Sequence, residues 1–245
     1  MSRTLPRTKN LRLSDRVALI TGGTRGIGLA IAHALAAEGC ELILTGRSEQ
    51  FLQKASRELG GAKPSAHVCD VRDPHSVDQL FRAIRRTHSR IDILINNAGI
   101  AHASLPIAKL PYPVWKDVVA TNLDGMFLVT QASLMLMKRG AVIVNNLSIA
   151  ATRVFAGSAA YNASKHAALG FTNTLREELR SKEIRVIGLI PGATDTDIWK
   201  TLWPEAPRRK MMSPETVARA VVAAILLPPN ATVETLEILP SAGTL

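Results

Sequence analysis

The sequence has 245 residues, 47% of them hydrophobic and 20% charged, with a mean hydropathy of +0.11. That is enough apolar material for an ordinary α/β core and too little charge for extended disorder, and no apolar run reaches the roughly 18 residues of a membrane span. Lys and Arg number 30 against 20 Asp and Glu, a net +10, but aromatics are only 4% and no motif accompanies the charge, which speaks against a nucleic-acid surface.

Residues 1–13 carry Arg3, Arg7, Lys9 and Arg12 without an apolar stretch, so they read as a flexible basic tail and not as a secretory signal. One domain is expected over 14–245. Residues 16–20 are a short buried strand, and a helix runs from Gly28 to Glu38. Between them lies Thr21-Gly22-Gly23-Thr24-Arg25-Gly26-Ile27-Gly28. A strand turning through glycines into a helix N-terminus offers free N–H groups and the positive end of a dipole to an anion. The same turn could also be purely structural.

Residues 42–45 form a second strand, closed by Gly46-Arg47. An acidic residue near this point commonly binds a ribose hydroxyl. Arg47 stands there instead, either as a partner for a phosphate or as a solvent-facing loop residue. Ser48 caps a helix with Phe51, Leu52, Ala55 and Leu59 on its apolar face, and Gly60-Gly61 ends it. A third strand over 65–69 leads to Asp70-Val71, where the carboxylate either meets a ligand amino group or caps the next turn. Asp73-Pro74 opens a helix through Val77, Leu80, Phe81 and Ile84. Cys40 and Cys69 fall in predicted strands and read as reduced core residues, the pattern of a cytoplasmic protein.

A fourth strand over 91–95 ends in Asn96-Asn97-Ala98-Gly99. Small and amide residues there let backbone approach a flat ligand, or let the amides cross-brace the central strands. After an irregular loop, a long helix is expected over 114–138, with Asn122 in its middle. Asparagine in that position bonds something or opens the helix locally. The fifth strand, 141–147, ends in Ser148. A helix over 158–182 contains Tyr161-Asn162-Ala163-Ser164-Lys165, with Tyr161 and Lys165 four apart on one face. A sixth strand over 185–190 precedes Pro191-Gly192-Ala193-Thr194-Asp195-Thr196. Residues 195–212, with Trp199 and Trp203, read as a mobile lid. Ser213-Pro214-Glu215 caps a helix to Leu227, and 235–239 is the last strand.

Strands alternating with helices imply a Rossmann-type, doubly wound α/β fold: a mostly parallel seven-stranded sheet with helices on both faces. Ligands bind such sheets beyond the carboxyl ends of the strands, where Gly22, Arg47, Asp70, Asn97, Ser148 and Gly192 all fall. A lysine ammonium beside Tyr161 would lower a phenol pKa that is ordinarily about 10 and ready it to pass a proton to or from a carbonyl oxygen. Ser148 can hold that same oxygen.

These motifs resemble the short-chain dehydrogenase/reductase family: TGGTRGIG at 21–28, NNAG at 96–99, Asn122, Ser148, YNASK at 161–165 and PGATDT at 191–196. The resemblance implies Tyr161 as general acid/base, Lys165 as its pKa-lowering, ribose-binding partner and Ser148 as the orienting hydroxyl. It makes Asn122 the holder of a relay water. It implies NADP(H) held by Gly22, Thr24, Arg25, Gly26, Ile27, Gly28, Arg47, Asp70, Val71, Asn97, Ala98, Gly99, Tyr161, Lys165, Pro191, Gly192, Thr194 and Thr196, with no metal. The implied activity is carbonyl–alcohol interconversion on a ketone or a 3-oxoacyl thioester; the alternative is a non-catalytic NADP(H)-binding sensor. The positive balance then reads as a solvated surface or as attraction to the phosphorylated cofactor or an acidic acyl carrier. Family members form homodimers or homotetramers through the helices holding Asn122 and Tyr161 and through the final strand. Pro240 after Leu239 departs from the glycine pair common there.

Overall fold

The computed structural model describes residues 12–243. Seven strands form one sheet: β1 (Val17–Thr21), β2 (Glu41–Gly46), β3 (Ser65–Val68), β4 (Ile93–Asn96), β5 (Val142–Asn146), β6 (Arg185–Pro191) and β7 (Thr235–Ile238). Their order is β3-β2-β1-β4-β5-β6-β7, and every neighbouring pair is parallel. The order reverses between β1 and β4, which is where an open sheet of this kind leaves a crevice.

Side chains alternate across the sheet and build two cores. On one face Ala18, Ile20, Leu42, Leu44, Ile95 and Val144 pack against α1 (Gly26–Ala37), α2 (Glu49–Leu59) and α8 (Pro214–Ile225). On the other Leu19, Ile43, Leu94 and Ile143 meet α3 (Pro74–Thr87), α5 (Gly125–Leu134) and α6 (Ala159–Arg180). The strands are apolar on both sides because both sides are covered. Residues 197–203 include a short helix, α7 (Trp199–Leu202).

Three expectations shift. The long helix expected over 114–138 is α4 (Tyr112–Val119), a π-helical turn over Ala120–Asp124, and α5. Asn122 sits in that turn, fully buried, so the helix does open where the asparagine interrupts it. The tail expected over 1–13 lies outside the described residues as far as 11. Arg12 and Leu13 do not continue it: Arg12 pairs with Glu38 at 2.7 Å, and the Leu13 side chain is 6% exposed. The segment expected as a mobile lid, 195–212, is tied down at its ends. Its base is closed where Asp195 N donates to Met212 O at 2.8 Å and Met212 N to Ala193 O at 3.0 Å. Cys40 and Cys69 are free and buried, just outside β2 and β3. Among the described residues no helix is long and apolar enough to cross a membrane.

Candidate active site

A cavity of about 870 Å³ opens over the carboxyl ends of the strands. The glycine turn forms one wall. Gly22 and Gly26 have φ of +61° and +55°, a left-handed conformation that glycine alone adopts freely. A Cβ on Gly22 would lie 3.0 Å from Ala98 Cα, and one on Gly28 would collide with the Asn97 amide and the Gly22 carbonyl. No side chain caps the N-terminus of α1 and its first turn holds no acidic residue, so its N–H groups remain open to an anion. Arg25 and Arg47 are exposed along the same wall.

The amides after β4 and in β5 do the cross-bracing that the sequence left open. Asn96 Nδ2 donates to Thr130 Oγ1 at 2.8 Å and Asn145 Oδ1 at 2.9 Å, and Asn145 Nδ2 to Thr172 Oγ1 at 2.9 Å. Asn97 Nδ2 donates to the Thr21 and Gly22 carbonyls at 3.0 Å each, and Asn97 Oδ1 accepts from Asn146 Nδ2 at 2.8 Å. Asn97, Ala98 and Gly99 nonetheless line the cavity, so the bracing leaves the segment on the cavity wall.

Asp70 lies on the cavity with its carboxylate gripped by Arg72: Nη2 to Oδ2 at 2.6 Å and Nε to Oδ1 at 3.0 Å. The Arg72 backbone N–H also donates to Oδ1 at 3.0 Å, which is the turn-capping role. These bonds hold the Asp70 carboxyl below the usual carboxylate range. Arg72 was not foreseen, since nothing in its spacing marks it as a partner across two residues.

Tyr161, Lys165 and Ser148 converge at the far end. Ser148 follows β5 and Tyr161 lies in the first turn of α6. Ser148 stands beside the phenol, where it favours the ionised form, and its Oγ accepts from Ala150 N at 3.1 Å. Lys165 Nζ donates to the Asn146 carbonyl at 2.9 Å and stands 5.7 Å from the centre of the Tyr161 ring. Here the electrostatics differ from the sequence reading. Burial pushes the Tyr161 phenol up, only partly offset by Ser148. Burial also pushes Lys165 down, to about 8, so its charge is lost before the phenol reaches its raised range. Asn146 is the other residue the sequence reading passed over. A polar Asn-Asn pair ending an apolar strand was its signal.

Asn122 lies behind the cavity wall. Its Oδ1 accepts from Ile100 N at 2.8 Å, and its Nδ2 donates to Ile100 O at 2.9 Å and Ser164 Oγ at 3.0 Å. Gly28 is likewise buried under the turn. All the other site residues foreseen from the sequence line the cavity. Thr194 does so with its hydroxyl already donating to Gly192 O at 3.0 Å. Asp197 and Asn146 apart, the remaining lining is largely apolar or small, including Leu147, Ile149, Phe155, Ile198, Leu202 and Trp203.

Known proteins share this arrangement. A family model described as short chain dehydrogenase matches residues 16–207. The 3-oxoacyl-(acyl-carrier-protein) reductase FabG of Vibrio cholerae is 35% identical over 241 residues, covering 93% of this chain and 97% of that protein. An alcohol dehydrogenase from the archaeon Thermococcus sibiricus, solved with 5-hydroxy-NADP, matches with a TM-score of 0.84 at 29% identity, over 92% of this chain and 97% of that one. An actinorhodin polyketide ketoreductase variant solved with NADPH matches with a TM-score of 0.82 at 32% identity, over 94% and 98%.

Proposed function

The chain belongs to the short-chain dehydrogenase family, and from that premise we propose that it interconverts a carbonyl and an alcohol with NADP(H). The observation that carries the reading is one cavity with Ser148, Tyr161 and Lys165 at one end and the glycine turn with Arg25 and Arg47 at the other. The residues fit a dinucleotide. Gly22 and Gly26 leave backbone bare where a pyrophosphate must approach, and the open N-terminus of α1 faces it. Arg25 and Arg47 suit a 2′-phosphate, and Asp70 and Val71 would hold the adenine end. Asn97, Ala98 and Gly99 would hold the ribose, and Pro191, Gly192, Thr194 and Thr196 the nicotinamide. When bound, the cofactor supplies or accepts the hydride.

The chain supplies the proton. Tyr161 donates from its phenol to the carbonyl oxygen in reduction, and its phenolate takes the proton back in oxidation. Ser148 holds the same oxygen in reach of Tyr161. Lys165, fixed by the Asn146 carbonyl, offers its remaining hydrogens to ribose hydroxyls. The Asn122 side chain is taken up by Ile100 and Ser164, so a relay water would have to be held by the main chain of its opened turn. The apolar lining around Ile149, Phe155 and Trp203 suits a ketone or a 3-oxoacyl thioester, and residues 195–212 cover it as a lid. A homodimer or homotetramer in the cytoplasm fits the half-exposed Phe127, which meets Phe171 edge-on at 6.2 Å on the outer side of α5 and α6.

The test is NADPH consumption with a panel of apolar ketones and 3-oxoacyl thioesters. Tyr161→Phe loses turnover at least a hundredfold but keeps its NADPH affinity. Arg47→Ala weakens NADPH at least tenfold and leaves NADH alone. A Tyr161→Phe variant with undiminished turnover would sink the mechanism, and no turnover on any carbonyl would favour a sensor.

A further inference from the structure

Arg25 does not point idly into solvent. Its Nη1 stands 3.6 Å from Asp197 Oδ2, its one ion pair among the described residues. Both residues line the cavity, so the pair ties the glycine turn to the lid across the mouth. Asp197 is placed by a firm base. Arg208 Nη1 donates to Asp195 Oδ1 at 2.6 Å and to the Thr196 carbonyl at 2.7 Å, and the Thr196 methyl lies 3.1 Å from where a Cβ on Gly26 would stand. Asp197 has a second partner, Lys200 Nζ, 2.6 Å from Oδ1. These neighbours keep the Asp197 carboxyl ionised, below its ordinary range.

We propose that Asp197 is a specificity-determining residue that competes with the cofactor's 2′-phosphate for Arg25 and so limits the margin by which NADPH is preferred over NADH. The inference rests on the assignment of Arg25 to that phosphate. A guanidinium whose Nη1 is drawn toward the lid has fewer donors to present to a phosphate near Arg47. When the phosphate takes Arg25, Asp197 keeps Lys200, so the lid tip is released from the glycine turn at little cost. The carboxylate then remains close to a dianion, and like charges repel. NADH has no such group and leaves the Arg25–Asp197 pair intact. The penalty therefore falls on NADPH alone.

Calorimetric Kd values for NADPH and NADH, in 0.05 M and 0.5 M salt (about a tenfold span), test this. Asp197→Asn raises the NADPH-over-NADH ratio about two- to fivefold in low salt, the span expected for one exposed charge pair. The gain shrinks in high salt, as screening tightens. Lys200→Gln moves the ratio the other way, because Asp197 is left with Arg25 alone. In an Arg25→Ala background Asp197→Asn has a smaller effect, since the competition for Arg25 is gone and only the repulsion is left. Retained NADH binding shows that each variant is folded, and Asp197→Ser stands in if the asparagine variant is not. A ratio unchanged or lowered in Asp197→Asn overturns the proposal. So does a Lys200→Gln variant that follows Asp197→Asn, since the lid would then act by loosening and not by charge. A wild type with no preference for NADPH removes the Arg25 assignment first, and a preference that Asp197→Asn leaves untouched removes only this inference.

Discussion

Replacing Lys165 with methionine should make the protein more stable at neutral pH while abolishing turnover. The ammonium is 5% exposed, and burial lowers it from 10.5 to about 8. That difference means the charged form costs the fold about 3 kcal/mol at pH 7. The sign follows from proton counting. Between the two values the unfolded chain holds a proton that the folded chain has lost, so stability rises with pH across that window. Above 10.5 the lysine is neutral in both states and the penalty is gone; below about 8 it is present in full. Methionine has a similar length and no charge, but it leaves the Asn146 carbonyl without its 2.9 Å donor, a loss of about 1 kcal/mol. The net expectation is a stabilisation of about 2 kcal/mol at pH 7, falling to near zero by about pH 9.5. Urea unfolding of wild type and Lys165→Met at the two pH values, with equal m-values, measures this directly. A variant no more stable than wild type at pH 7, or a difference that does not change with pH, would refute the argument that Lys165 is held charged against its surroundings.

Three further expectations follow from the same geometry. Gly28→Ala forces a methyl into the Asn97 amide and the Gly22 carbonyl, so urea unfolding should show a loss of about 1–3 kcal/mol, and calorimetry a loss of NADPH affinity above tenfold. Asn145→Ala, fully buried, removes hydrogen bonds to Asn96 and Thr172 and leaves a hole, for a loss of about 2–4 kcal/mol with the cofactor Kd little changed. Alcohol oxidation draws on the Tyr161 phenolate, and burial raises that phenol, so kcat/KM for oxidation should keep rising with pH and not level off below about 10. A plateau near neutrality would show that the lysine charge governs the phenol in the free enzyme.

The strand–helix alternation was legible because runs such as 17–20 and 142–144 are apolar on both faces, and because Ser48, Asp73 and Ser213 cap their helices as their spacing implies. The acid–base trio was legible because the Tyr161–Lys165 spacing fixes a common helix face. What the sequence hid was pairing between segments. Arg72 grips Asp70, Arg208 clamps the lid base and Asp197 reaches Arg25, and each link needs coordinates for both partners. The direction of the Tyr161 shift was hidden for another reason. The sequence shows a lysine nearby but not how far both groups are withdrawn from water, which pushes the phenol up and the ammonium down.

Burial also explains why the glycines serve more than the ligand. Lys165 Nζ donates to the Asn146 carbonyl at 2.9 Å, Asn146 Nδ2 to Asn97 Oδ1 at 2.8 Å, and Asn97 Nδ2 to the Thr21 and Gly22 carbonyls at 3.0 Å. This chain of bonds runs from the Tyr161–Lys165 end of the cavity to the glycine turn, crossing β5 and β4 at the point where the sheet order reverses. Its last link passes through the space that a Cβ on Gly22 or Gly28 would fill. The bare backbone of the turn therefore faces two ways, toward the cavity and toward the Asn97 amide beneath it. A side chain at Gly28, buried under the turn and off the cavity wall, displaces Asn97 before it meets any ligand. The disturbance then reaches Lys165 through Asn146, which is why a methyl so far from the reacting oxygen is expected to weaken the fold and the cofactor site together.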